Sequence, residues 1–200
     1  MKILYSILLV LAFISTINAQ TKTNESLGWK GMTINVSSPD DVIAKFGKPE
    51  KEEISRLDFL DTKGNVFTTK ANNKEWKVLR YKEIEQAQKV QFGFNKDNKL
   101  IFIQFKPPVK DRKKLIDVQA FLKTYEDVNF KQNKGGLDYI LFGKLESGYI
   151  LAEINRGLLP QMYEKKSIED ESTDALQGWV WTVQFISKSL ENTENTDVLK

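Results

Sequence analysis

The sequence predicts an α+β fold: an antiparallel sheet of about six to eight strands, with two short helices packed on one face. Three observations carry that expectation. Apolar residues recur in short alternating or continuous runs, turn residues bound those runs, and only two stretches combine helical periodicity with a helix start. The order helix-then-three-strands occurs twice, over the equal lengths Trp29–Pro108 and Val109–Lys188. A tandem α-βββ repeat (28–108 and 109–187) is one explanation, and chance recurrence of a pattern without residue identity is the other.

The chain opens with Lys2, an apolar run from Ile3 to Ile14 broken only by Ser6, and Ile17-Asn18-Ala19 before Gln20. A positive start, a short apolar centre and a small-residue end are the layout of a cleaved signal peptide, expected over 1–19. The run is shorter than a membrane span needs, and polar Gln20–Ser26 follows it, so no transmembrane segment is expected in the mature chain.

The first helix is expected at Ser38-Pro39-Asp40-Asp41-Val42-Ile43-Ala44-Lys45-Phe46. Ser38 caps the free N–H groups, Pro39 suits the first helical position, and two carboxylates sit at the positive end of the dipole. Gly47 and Pro49 end it after about two turns, so it depends on docking its Val42/Ile43/Phe46 face. Strands follow at Trp76–Glu83, Val90–Phe94 and Leu100–Phe105, the last two joined through Asn95–Lys99, and Pro107-Pro108 ends the segment. Two short strands are expected within Ile54–Thr69, around Lys63-Gly64-Asn65. A second helix, started by Asp111, places Leu115, Val118, Phe121, Leu122 and Tyr125 on one face. Leu137–Phe142, Tyr149–Ile154 and Trp179–Ile186 read as three more strands. Arg156–Leu176 is a long connection, and 188–200 reads as a disordered polar tail. A single globular domain over 20–187 results.

Composition narrows the chemistry. With no His and no Cys, the chain cannot build a Ser-His-Asp triad, a thiol nucleophile, a disulfide or an ordinary zinc site. Its 30 Lys and Arg nearly balance 27 Asp and Glu, which gives no electrostatic reason for nucleic-acid binding. Export without cysteines points to a bacterial envelope or secreted protein. Asn24-Glu-Ser26 and Asn35-Val-Ser37 would be glycosylation acceptors in a eukaryotic source. Glycosidase chemistry needs two carboxyl groups held across a cleft, and no motif singles out such a pair, since capping already accounts for Asp40-Asp41. The expectation is a non-enzyme with no cofactor.

Gly28-Trp29-Lys30-Gly31-Met32 followed by Ser37-Ser38-Pro39-Asp40-Asp41-Val42-Ile43-Ala44-Lys45-Phe46-Gly47-Lys48-Pro49 resembles the unit of the SmpA/OmlA outer-membrane assembly proteins. The same unit in tandem resembles the β-lactamase-inhibitor-protein (BLIP-like) fold. The resemblance implies a binding module outside the cytoplasm that meets another protein of the envelope or exterior through a curved sheet. A lipid anchor and disulfides, which those families use, have no Cys to form them here.

Candidate contact residues follow from exposed-aromatic logic. Trp179 and Trp181 share a strand face with Val183 and Phe185, and with Tyr149 and Tyr139 they make either a core face or a protein-contact hot spot. Leu158, Leu159, Met162 and Tyr163 give the long connection an apolar stretch, either tucked onto the sheet or presented to a partner. Glu169-Asp170-Glu171 with Asp174 lacks the spacing that wraps calcium and reads as a solvated acidic loop. Lys106, Lys110, Arg112, Lys113 and Lys114 read as a solvated linker, with an anionic surface as the other option. The rival function is a lipocalin-like carrier of a small apolar ligand, a closed barrel. Against it stand the adjacency of Gly28 and Trp29, where lipocalins space them, and the helix expected at 111–125.

Overall fold

The structure, a computed structural model, describes residues 27–61, 66–68, 76–107, 123–125, 127–135, 138–155 and 179–192. Strands β1 (Gly28–Trp29) and β2 (Met32–Thr33) form a small hairpin, followed by helix α1 (Pro39–Phe46) and strand β3 (Lys51–Ile54). A second two-stranded ribbon pairs β4 (Asp58–Leu60) with β5 (Val66–Thr68). Three long strands come next: β6 (Lys77–Ile84), β7 (Ala87–Phe94) and β8 (Leu100–Lys106). Strands β9 (Phe130–Gly135), β10 (Asp138–Lys144), β11 (Gly148–Asn155) and β12 (Trp179–Ser187) complete the set, and a 3-10 helix covers Lys188–Asn192.

Eight of these strands make one antiparallel sheet in the order β3-β6-β7-β8-β12-β11-β10-β9. The sheet is open, with β3 and β9 at its edges. Every neighbour in each half is the next sheet strand in the chain, and the halves meet where β8 pairs with β12. Each half therefore supplies four strands, one more than expected. The extra strands are β3 (Lys-Glu-Glu-Ile) and β9 (Phe-Lys-Gln-Asn-Lys-Gly), which lack apolar alternation because an edge strand carries charge rather than core residues.

Both faces of the sheet centre are buried. One face gathers Leu79, Phe92, Phe94, Ile103, Phe105, Ile150, Ile154, Val183 and Phe185, and α1 packs there through Val42, Ile43 and Phe46. The capping box forms as the residues predict: Asp41 N donates to Ser38 Oγ at 3.2 Å, and Ser38 N donates to Asp41 Oδ2 at 2.8 Å. Gly47 ends the helix at φ +81°, its N–H returning to Ile43 O, and Tyr81 donates its hydroxyl to Gly47 O at 2.9 Å. Trp29 stacks on Phe105 at 4.6 Å between ring centroids and on Phe46 at 6.1 Å, so the Gly-Trp segment wedges the helix against the sheet. Of the second expected helix, Lys123 and Thr124 are helical and the stretch before them lies outside the described residues. Tyr125 beside them packs toward Phe185 at 5.9 Å.

The opposite face gathers Val78, Ile101, Phe102, Ile140, Tyr149, Leu151 and Ile186, under Leu57, Phe59, Leu60 and Leu190. A bulge at Ile101 in β8 puts the consecutive residues Ile101 and Phe102 both on this face. Gly93 lets Leu57 approach, since a Cβ there would lie 2.8 Å from Leu57 Cδ2. Leu190 is buried, so the chain stays on the fold past Ser187, and the expectation of a disordered tail from 188 is corrected over 188–192. Residues 1–19, where a signal peptide is expected, Lys63-Gly64-Asn65 and the remainder of the tail lie outside the described residues.

Two predictions follow from this packing. Gly93→Ala forces Leu57 to shift and should destabilise by about 1–3 kcal/mol in urea unfolding; an unchanged midpoint would show that Leu57 repacks freely. Acid should loosen β3 and the start of α1. Glu53 is held below its ordinary value of 4.5 by hydrogen bonds from Lys51 and Arg80, and Asp41 below 3.8 by hydrogen bonds from Ser38. Depressed carboxylates contribute stability above those ordinary values and lose it progressively as pH falls through the folded-state ones. Amide protection, relative to the unfolded-chain rate at each pH, should therefore fall in 38–41 and 51–54 below about pH 4, ahead of β7, β8 and β12.

Candidate functional site

The second face divides along its strands. At one end lies the apolar floor just described, and toward the other the same face turns polar: Arg80 on β6, Gln91 on β7, Gln104 on β8 and Gln184 on β12 pair side by side across four strands. Arg80 Nε donates to Glu53 Oε1 at 2.6 Å, which ties the row to edge strand β3. Gln184 is buried at 2% exposure, and its amide is the most heavily used side chain of the row. Its Oε1 accepts from Leu60 N at 2.8 Å, and its Nε2 donates to Gln104 Oε1 at 2.6 Å and to Asp58 O at 3.4 Å. An amide that binds an N–H and a C=O two residues apart on one strand does the work of a neighbouring backbone. Gln184 thereby fastens β4 onto the sheet.

One step further along, Lys106 Nζ lies over the Trp181 ring, 5.0 Å from its centroid. Both side chains are half-buried. Trp181 is there because of a bulge: Glu153 pairs with Thr182 and Ile154 with Val180, which leaves Trp181 as the extra residue of β12. The expected alternation, with Trp181 on the face of Val183 and Phe185, is corrected accordingly. Val180 takes that place in the core, and Trp181 is re-aimed.

The other candidate contact residues divide by location. Tyr149 is fully buried, stacked on Phe142 at 5.4 Å between centroids, so the expectation that its ring faces a partner is corrected; its place on β11 opposite Ile186 puts it under the second cluster. Tyr139 pairs with Ile154 and Lys134, and Trp179 with Asn155, through their backbones. Leu158, Leu159, Met162 and Tyr163 lie outside the described residues, as do Glu169–Asp174 and the basic residues 110–114. Gln104 and Gln184 were the residues sequence reasoning passed over. Their signal was present: each is the lone amide in an apolar strand run, and they stand 80 residues apart.

Tyr149 and Gln184 make opposite predictions. The Tyr149 hydroxyl is buried with no hydrogen-bond partner among the described residues, so Tyr149→Phe should leave stability unchanged or raise it by about 1 kcal/mol. Gln184→Leu strands Leu60 N and Asp58 O and should lower stability by about 2–3 kcal/mol in thermal or urea unfolding. Reversal of that order would mean that the row is not what holds β4.

No protein-family model matches this sequence, and no curated protein matches it. Among solved structures the chain is similar to a DUF4309 family protein, YjgB, from Bacillus subtilis, with 17% sequence identity over 80% of this chain and 84% of that one and a TM-score of 0.41.

Proposed function

We propose that this chain is a secreted or periplasmic binding protein, not an enzyme, and that it meets a protein of the cell envelope or exterior through the polar end of the second sheet face. The observation that carries the proposal is Trp181. Burying a tryptophan is the cheapest use of one in a strand, yet a bulge turns this ring out of the ladder to a half-buried position under a lysine. Rigid aromatic area beside a cation and planar amides is the chemistry of a protein-contact hot spot.

The arrangement of the halves supports a duplicated module. Pairing of Phe105 with Val183 and of Ile103 with Phe185 places a local two-fold axis through the Gln104–Gln184 pair. Lys51 on β3 and Lys131 on β9 then occupy like places, opposite Arg80 and Phe142 respectively. The repeat unit under this proposal is α-ββββ, with the SmpA/OmlA-like capped helix at its head. The carrier reading has less behind it, because the sheet is open and its apolar centre is filled on both faces.

Trp181→Ala tests the proposal. The variant should fold with a melting temperature within a few degrees of the parent, while affinity for the partner captured from the producing cell's envelope falls by about 2 kcal/mol, roughly thirtyfold. Loss of folding by circular dichroism would return Trp181 to the core, and unchanged capture would remove it from the contact surface.

A further inference from the structure

We infer that β3 is a releasable strap: an edge strand that lifts from β6 by itself, held by ion pairs rather than by burial, so that ionic strength sets how often β6 becomes the bare edge of the sheet. The register divides the four residues of β3 between the two faces. Lys51 pairs with Arg80 and Glu53 with Val78, which puts both on the second face, while Glu52 and Ile54, opposite Leu79 and Lys77, take the first. None of the four is buried. Ile54, the single apolar residue of β3, is 63% exposed, whereas Val78 and Leu79 one strand inward are at 0%. On this side of the sheet, burial as a source of cohesion therefore stops at β6.

What holds β3 beyond its backbone ladder is charge. On the first face Lys77 Nζ meets Glu52 Oε1 at 2.7 Å. On the second, Arg80 Nε meets Glu53 Oε1 at 2.6 Å, and Lys51 pairs with the other oxygen of the same carboxylate. Two cations of β6 thus grip one carboxylate each, from opposite faces of the strand. All five side chains keep between 23% and 62% of their surface in solvent, so dissolved salt screens them. A lone exposed pair contributes little to stability, but a five-group network on a four-residue strand with nothing buried decides whether that strand stays down.

The two ends are fixed separately. Before β3, Tyr81 donates its hydroxyl to Gly47 O at 2.9 Å. After it, Ser55 N donates to Trp76 O at 3.0 Å, and Leu57 is buried against Gly93. None of these contacts uses the ion pairs, so the chain between Gly47 and Ser55 can lift as a loop while α1 and the β4–β5 ribbon stay in place. Lifting β3 returns conformational freedom to the loop and gives up one row of ladder bonds with its screened charges. For β7, β8 or β12 to do the same, each would have to expose a phenylalanine that is fully buried: Phe92, Phe102 and Phe185 respectively.

Amide exchange of the intact chain at neutral pH, followed as NaCl rises from about 0.02 M to about 1 M, tests the strap. Protection in 51–54, relative to the unfolded-chain rate at each salt concentration, should fall at least about threefold, and protection in β7, β8 and β12 should not fall with it. Glu53→Gln should lower β3 protection at low salt and flatten its salt response, at a melting temperature within a few degrees of the parent. Lys131→Gln, which removes an exposed cation from β9, should leave the response as in the parent. Protection of 51–54 that is indifferent to salt overturns the inference, as do amides there that open only together with β7 and β8 when denaturant is raised. Loss of the salt response in Lys131→Gln to the same extent as in Glu53→Gln also overturns it.

Discussion

The pairing of β8 with β12 is the constraint on which the rest of the molecule depends. Each half is a meander that local turns can assemble, but nothing in either half requires the other until these two strands meet. The contact joins residues far apart in the chain, so it carries the largest loop-closure cost of any strand pairing in the sheet and is rewarded only if both faces bury at once. They do: Ile103, Phe105, Val183 and Phe185 fill one face while Phe102 and Ile186 fill the other. With no Cys available, this double burial takes the place that a cross-link would have in a smaller domain.

The polar pair at the centre of that seam has a cost and a use. Seating two amides beside the apolar Phe102–Ile186 row is unfavourable unless their hydrogen bonds are made, and the 2.6 Å contact between them satisfies one donor and one acceptor. A pure apolar seam would tolerate a two-residue slip that keeps the same faces buried, whereas a slip here would break the amide pair and set either Gln104 against Ile186 or Gln184 against Phe102. Gln104–Gln184 therefore fixes register as well as holding β4. The Asn35 segment closes the far end in similar fashion: its side chain accepts from Ser187 Oγ at 2.5 Å, and its backbone N–H donates to Leu100 O at 2.7 Å.

Much of the fold was legible because its signals are local. Ser38, Pro39, Asp41 and Gly47 each specify a helix end by their own chemistry, and the long runs at Leu100–Phe105 and Trp179–Ile186 have no stable alternative to burial on both faces. Strands β3 and β9 escaped notice because edge strands are selected for charge: Lys-Glu-Glu-Ile is a strand only because Val78, Leu79 and Arg80 offer it a neighbour. The site was less legible still. Period-two reasoning placed Trp181 on the core face, and a single inserted residue inverted the answer, since a bulge is decided by the register of the partner strand and not by the bulged residue itself.

That inversion also decides what the Lys106 end of the second face presents. Without the bulge, β12 would present Trp181 to the α1 side and Val180 to the other, leaving the Lys106 end with an aliphatic side chain that has no preferred contact geometry. With it, the apolar core keeps Val180, Val183 and Phe185 in line, and the indole is placed where a lysine stem can cover it. The same bulge thus completes one face of the core and sets an aromatic ring beneath a lysine on the other.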